Sequence, residues 1–159
     1  MINFLILTTI FHSCLGIAMD KKNKPLGTIK DPRELGIEFF NAKLMAAVLE
    51  DSKEKLKKLV EKGLDINKKY EHGTTALMLA SINEAVKVVE FLIENGAKID
   101  EKEDDDWTAL MYASQEGYVE IAALLLSRGA NVHEVENRGR QALIIASEKD
   151  NKRLVELLI

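Results

Sequence analysis

Few side chains in this 159-residue sequence have the chemistry of a catalyst, and their spacing argues against one. The histidines are His12, His72 and His133, and the one cysteine is Cys14. An activated nucleophile needs a base within hydrogen-bond reach, and zinc needs Cys and His ligands at short, fixed intervals. Neither pattern occurs, and no Gly-rich phosphate loop is present. Ser81, Ser114 and Ser147 share one register, each directly after an alanine, with no base spaced to activate them. Small residues in that setting let helices approach closely, so these serines read as packing positions. No catalytic residue, cofactor or metal is expected, and the chain reads as a non-enzyme.

Two features remain that could recognise a partner. The acidic run Asp100-Glu101-Lys102-Glu103-Asp104-Asp105-Asp106 lacks the alternating ligands and central glycine of a calcium loop. It reads as a solvated tip or a partner-facing patch. Trp107 follows, at a position held elsewhere by Thr74 and Arg140. A lone aromatic at a variable site is a candidate hot spot, because aromatics dominate interface energies. The alternative is that its ring packs on a neighbouring loop and covers a helix start. The first reading expects Trp107→Ala to spare stability; the second does not. Net charge is −4, which gives no reason to expect nucleic acid.

The elements that carry these residues are set by a repeat. Thr75-Ala76-Leu77-Met78-Leu79-Ala80 returns as Thr108-Ala109-Leu110-Met111-Tyr112-Ala113 and as Gln141-Ala142-Leu143-Ile144-Ile145-Ala146, 33 residues on each time. Gly63, Gly96 and Gly129 keep the same period, as do Leu59, Leu92, Leu125 and Leu158. A period of this size means one supersecondary unit stacked on its copies. Ala76, Leu77 and Ala80, then Val86, Val88, Val89, Leu92 and Ile93, recur at helical spacing and mark two short helices per unit. Thr75 and Thr108 stand where N-caps are needed, and the glycines stand where a helix closes through left-handed backbone.

From about Phe39 to Ile159 the chain resembles ankyrin-repeat proteins, whose unit is a β-turn plus two antiparallel helices. The resemblance rests on the Thr-x-Leu-x-x-Ala starts, on Ala80 and Ala113, on the paired aliphatics before each glycine, and on Gly96-Ala97-Lys98-Ile99 and Gly129-Ala130-Asn131-Val132. The chain departs from the family where its proline is Ala76, Ala109 and Ala142, and where its histidine is Met78, Met111 and Ile144. Apolar packing must replace the hydrogen bond that the histidine makes. The resemblance implies an all-α ankyrin-repeat solenoid of four units, with the last incomplete, each unit a helix-turn-helix plus a finger hairpin. Residues 39–71 form an N-terminal cap, with Lys58 where Phe91, Leu124 and Leu157 stand later and Lys57 where Ala123 does; 72–104, 105–137 and a partial 138–159 follow.

The resemblance further implies a non-catalytic module that recognises a protein through its concave face and fingers. Carried over by position, the finger residues are Tyr70, His72, Thr74, Asp104, Asp105, Trp107, Asn137, Arg138 and Arg140. The inner-helix residues are Ile82, Asn83, Gln115, Glu116, Glu148 and Lys149. Tyr112, in register with Leu79 and Ile145, reads as mostly core.

Residues 1–18 carry no charged side chain, and the apolar run from Ile2 to Phe11 is too short to span a bilayer comfortably. With Gly16-Ile17-Ala18 as a cleavage site, this stretch reads as a signal peptide of an exported, bacterial-type protein of the periplasm or outside the cell. An apolar N-terminal helix in an intracellular regulatory scaffold is the alternative. Cys14 is either removed with the leader or acylated, and only acylation ties the chain to a membrane. Residues 19–38, with Pro25 and Pro32, read as a polar tether. At the other end, Leu157 and Ile159 are still apolar within the fourth unit, which opens self-association as a further expectation.

Overall fold

A computed structural model describes residues 42–159; the leader, Cys14 and the tether lie outside the described residues. Contacts divide the chain into Met1–Ala46 and Ala47–Ile159. Of the first unit, 42–46 are described and belong to helix α1 (42–49). The second continues with α2 (Lys53–Glu61), α3 (Ala76–Ile82), α4 (Val86–Glu94), α5 (Ala109–Glu116), α6 (Val119–Ser127), α7 (Ala142–Glu148) and α8 (Lys152–Leu158). A single 3₁₀ turn, Glu71–Gly73, interrupts the loop before α3.

Local chemistry sets these boundaries. Thr75 and Thr108 accept the backbone N–H of Met78 and Met111 at 3.3 and 3.4 Å, each satisfying an N–H that a helix start leaves open. Ser52 and Asn151 do the same for α2 and α8, whereas Gln141 before α7 makes no such bond. The second helix of each pair closes through glycine. Gly63, Gly96 and Gly129 adopt φ of 96, 87 and 92°, and the next N–H returns to the carbonyls of Leu59, Leu92 and Leu125. That double closure needs left-handed backbone, which glycine adopts without strain.

The first helices α3, α5 and α7 pack in one row, and α2, α4, α6 and α8 in another, each pair joined by a tight turn. Ala80, Ala113 and Ala146 are fully buried between the rows, small enough to bring the helices together. Leu92 and Leu125 lie beside them, also fully buried, and each such leucine contributes about 1.5–3 kcal/mol. Ser81 and Ser114 are buried as well, donating to the carbonyls of Leu77 and Leu110 at 2.8 Å, which makes them packing residues. Met78 and Met111, at the family's histidine position, are only 1% exposed, so thioether packing fills that place. Among the described residues there is no strand, and no helix is long and apolar enough to cross a membrane.

Candidate functional site

Between the helix pairs the chain runs out into fingers. Each is a narrow hairpin closed by one backbone bond: Tyr70 N–H to Thr74 O at 2.8 Å, Glu103 to Trp107 at 3.2 Å, and Glu136 to Arg140 at 3.1 Å. The tips turn through left-handed residues at one register, Gly73, Asp106 and Gly139, with φ of 72, 65 and 77°. Asp106 therefore does in the middle finger what glycine does on either side.

The acidic run is exposed at Asp100 and at Asp104 to Asp106, yet most of its carboxylates have structural partners. Asp100 accepts the N–H of Asn131 at 2.9 Å, as Asn67 accepts that of Lys98 one unit earlier. Lys69 reaches the Lys102 carbonyl and Glu101, both at 2.9 Å. Lys102 repeats the reach one unit on, to the Val135 carbonyl at 3.1 Å and to Glu134 at 2.9 Å. At the tips, the N–H groups of Asp104 and Asn137 donate to His72 O and Asp105 O at 2.9 and 3.1 Å. The fingers are thus cross-linked at base, middle and tip. The ion pairs leave their mark on ionisation: hydrogen bonds from Lys69 and Lys102 hold Glu101 and Glu134 below the ordinary glutamate value, and Glu134 raises Lys102.

Within a finger, a glutamate at one register shapes the tip. Glu103 Oε1 accepts the N–H groups of Asp105 and Trp107, both at 3.0 Å. Glu136 Oε1 accepts both the backbone N–H and the Nε–H of Arg140 at 3.1 Å. Glu136 is only 3% exposed. Burial pushes its carboxyl up, but the hydrogen bonds from the Arg140 side chain and backbone outweigh that and leave it low.

Trp107 is half-buried rather than free. Its ring lies 5.1 Å from that of Tyr112, tilted by 37°, and the Arg140 guanidinium sits 5.8 Å above it. Arg140 then extends to Glu148 on α7 at 2.8 Å. One arginine therefore ties the third finger to the tryptophan of the second and to an inner helix. Tyr112, expected as mostly core, is half-buried beside Trp107; burial first, then Glu103 and Asp105, push its hydroxyl's pKa upward. Between the second and third fingers lies an open cleft of about 120 Å³ lined by Asp105, Trp107, Glu136, Asn137, Arg138 and Arg140.

The remaining sequence-selected residues divide by task. His72, Asp104, Arg138 and Lys149 are exposed. Asn137 is exposed but donates to Asp105 at 2.7 Å, so the pair acts as a rung as well as a surface. Thr74, Ile82 and Gln115 are half-buried, and Asn83 is tied to the Leu79 carbonyl at 2.8 Å. Tyr70 lies beneath the Lys68 ammonium at 5.4 Å. Glu116 is raised by burial, an effect that Lys149 opposes. Sequence reasoning missed Glu136, Glu103, Lys69 and Lys102. Their signal was present as aligned glutamates four residues before Trp107 and Arg140, and as lysines in one register. Among the described residues, no group of three or more acidic, His or Cys side chains could hold a metal ion.

Two family models match the chain. The model for ankyrin repeats in three copies covers residues 44–135, and that for ankyrin repeats in many copies covers 113–159. The chain belongs to the ankyrin-repeat family. Ankyrin repeats are typically non-catalytic modules for protein–protein interaction, and neither match indicates an enzyme. No curated protein matches the chain as a relative. In this ankyrin-repeat chain, the rows of first and second helices and the stacked fingers are the repeat's own architecture.

Proposed function

We propose that this ankyrin-repeat chain recognises a protein partner through its finger tips and inner-helix ends, outside the cytoplasm. The observation that carries the reading is Arg140. By touching both Trp107 and Glu148, it ties a finger to an inner helix, which supports reading their polar groups as one face. A pre-ordered polar surface of this kind loses little entropy on binding and selects partners by charge pattern. Cross-linking of the full chain in its native compartment tests it. Links concentrated on Asp104, Arg138 and Lys149 support the reading; links confined to the outer helices α2, α4 and α6 sink it.

The location rests on the charge-free residues 1–18, followed by a polar tether over 19–38. Intact-mass measurement of the endogenous protein separates the readings: loss of the first 18 residues supports export, acylation at Cys14 adds a membrane anchor, and retention of Met1–Ala18 leaves an intracellular scaffold. A second reading, self-association through the fourth unit, is favoured by one contrast. Ile144 is 43% exposed where Met111, in the same register, is 1% exposed. Sedimentation velocity at rising concentration should show a larger species that Ile144→Lys abolishes. A monomer throughout overturns it.

A further inference from the structure

We infer that the cleft between the second and third fingers takes a basic side chain, lysine or arginine, from the partner, an assignment that rests on reading the fingers as the partner face.

Three observations converge on a cation. First, Glu136 lines the cleft at 3% exposure, and its carboxylate is used on one side only: Oε1 takes both Arg140 donors, while the buried Oε2 has no donor. A buried carboxylate oxygen without a donor is costly, and a small side-chain shift that opens Oε2 to the cleft lets an ammonium or guanidinium supply donor and counter-charge together. Second, the wall already shows its preference within the chain. Arg140 places its guanidinium 5.8 Å over Trp107 while bonded to Glu136, so an aromatic face and a carboxylate here do hold a cation. Third, the mouth is acidic. Asp105, which lines it, is exposed together with Asp104, and Arg140 is committed to Glu136 and Glu148. Arg138 is the basic group facing the cleft that would favour an anion instead, and the test includes that outcome.

The chain's single tryptophan lines the cleft, so its fluorescence reports occupancy directly. The probes are acetyl-Gly-Arg-Gly-amide, its lysine and glutamate counterparts, and free spermidine. Saturable quenching by the arginine and lysine peptides, with none from the glutamate peptide, is expected. Quenching by spermidine but not by the peptides would assign the site to a small polyamine and overturn the side-chain proposal. Glu136→Gln keeps an oxygen for Arg140 but puts an amide donor in place of one carboxylate oxygen; peptide binding should weaken roughly tenfold. Asp106→Asn, outside the cleft lining, should leave binding within about twofold, since screening reduces exposed charges to weak effects. If Glu136→Gln does not fold, Asp105→Asn takes its place with the same expectation. Equal binding of the glutamate peptide, or equal losses in Asp106→Asn and the cleft variant, overturns the inference as diffuse attraction. A partner that cross-links to the fingers yet is indifferent to Glu136→Gln overturns this inference alone and leaves the finger-face reading standing.

Discussion

Trp107 shows how a single side chain can belong to both scaffold and surface. Packed 5.1 Å from Tyr112 and roofed by Arg140, it buries part of its ring without losing its place in the cleft. Trp107→Ala is therefore expected to lower unfolding free energy by about 1–2 kcal/mol, as well as weakening partner capture. Chemical denaturation read by circular dichroism measures the first effect, and an unchanged midpoint would return Trp107 to the role of a free surface aromatic. Asp106 offers the opposite case. It holds φ at 65° where its neighbours in register are Gly73 and Gly139. Asp106→Gly removes a side chain from left-handed backbone and should raise stability by up to about 1 kcal/mol, provided the more flexible unfolded chain does not cancel the gain. A fall in the denaturation midpoint would show that the aspartate is held there by more than backbone geometry.

Individual helices were legible in the sequence wherever their signals are local. The capping threonines, the closing glycines and the buried alanines follow rules that act within a few residues, and the structure places each as those rules require. Thr108→Ala should accordingly cost about 1 kcal/mol, because Met111 N–H loses its acceptor at a buried helix start. A thermal melt of that variant is the check, and no shift would mean that water replaces the hydroxyl. The finger network was not legible, for a physical reason. Lys69 and Asp100 look like ordinary surface charge, and their partners lie 33 and 31 residues away. The turn between paired helices was hidden too: Asp51, Glu84 and Asp150 take left-handed backbone there without glycine, and only Gly117 signals it. Glu136 escaped notice because nothing in a lone glutamate announces that the fold will bury it.

At the scale of the whole molecule, acidity should act in two directions. Glu101, Glu134 and Glu136 sit below their ordinary values, so each adds stability above the unfolded value, and that stability is lost as pH falls through the folded one. Glu116 has the opposite sign. Burial raises it, so its ionised form opposes folding, and that opposition fades as pH drops through the raised value. Melting temperature should stay level or rise slightly from pH 7 toward 5, then fall below about pH 4. Glu116→Gln should raise the melting temperature at pH 7 and remove the rise. A steady decline from pH 7 in both proteins would contradict these assignments.

The cross-linked fingers also make the chain keep count. Asn67 meets Lys98 and Asp100 meets Asn131 across 31 residues, Lys69 and Lys102 reach across 33, and Asn137 meets Asp105 across 32. One residue added to a finger would change the spacing of each rung that spans it, whereas adding or removing 33 would leave each rung a partner. Changes in length should therefore be tolerated by this part of the molecule only in whole units, however polar and loop-like the fingers look in the sequence.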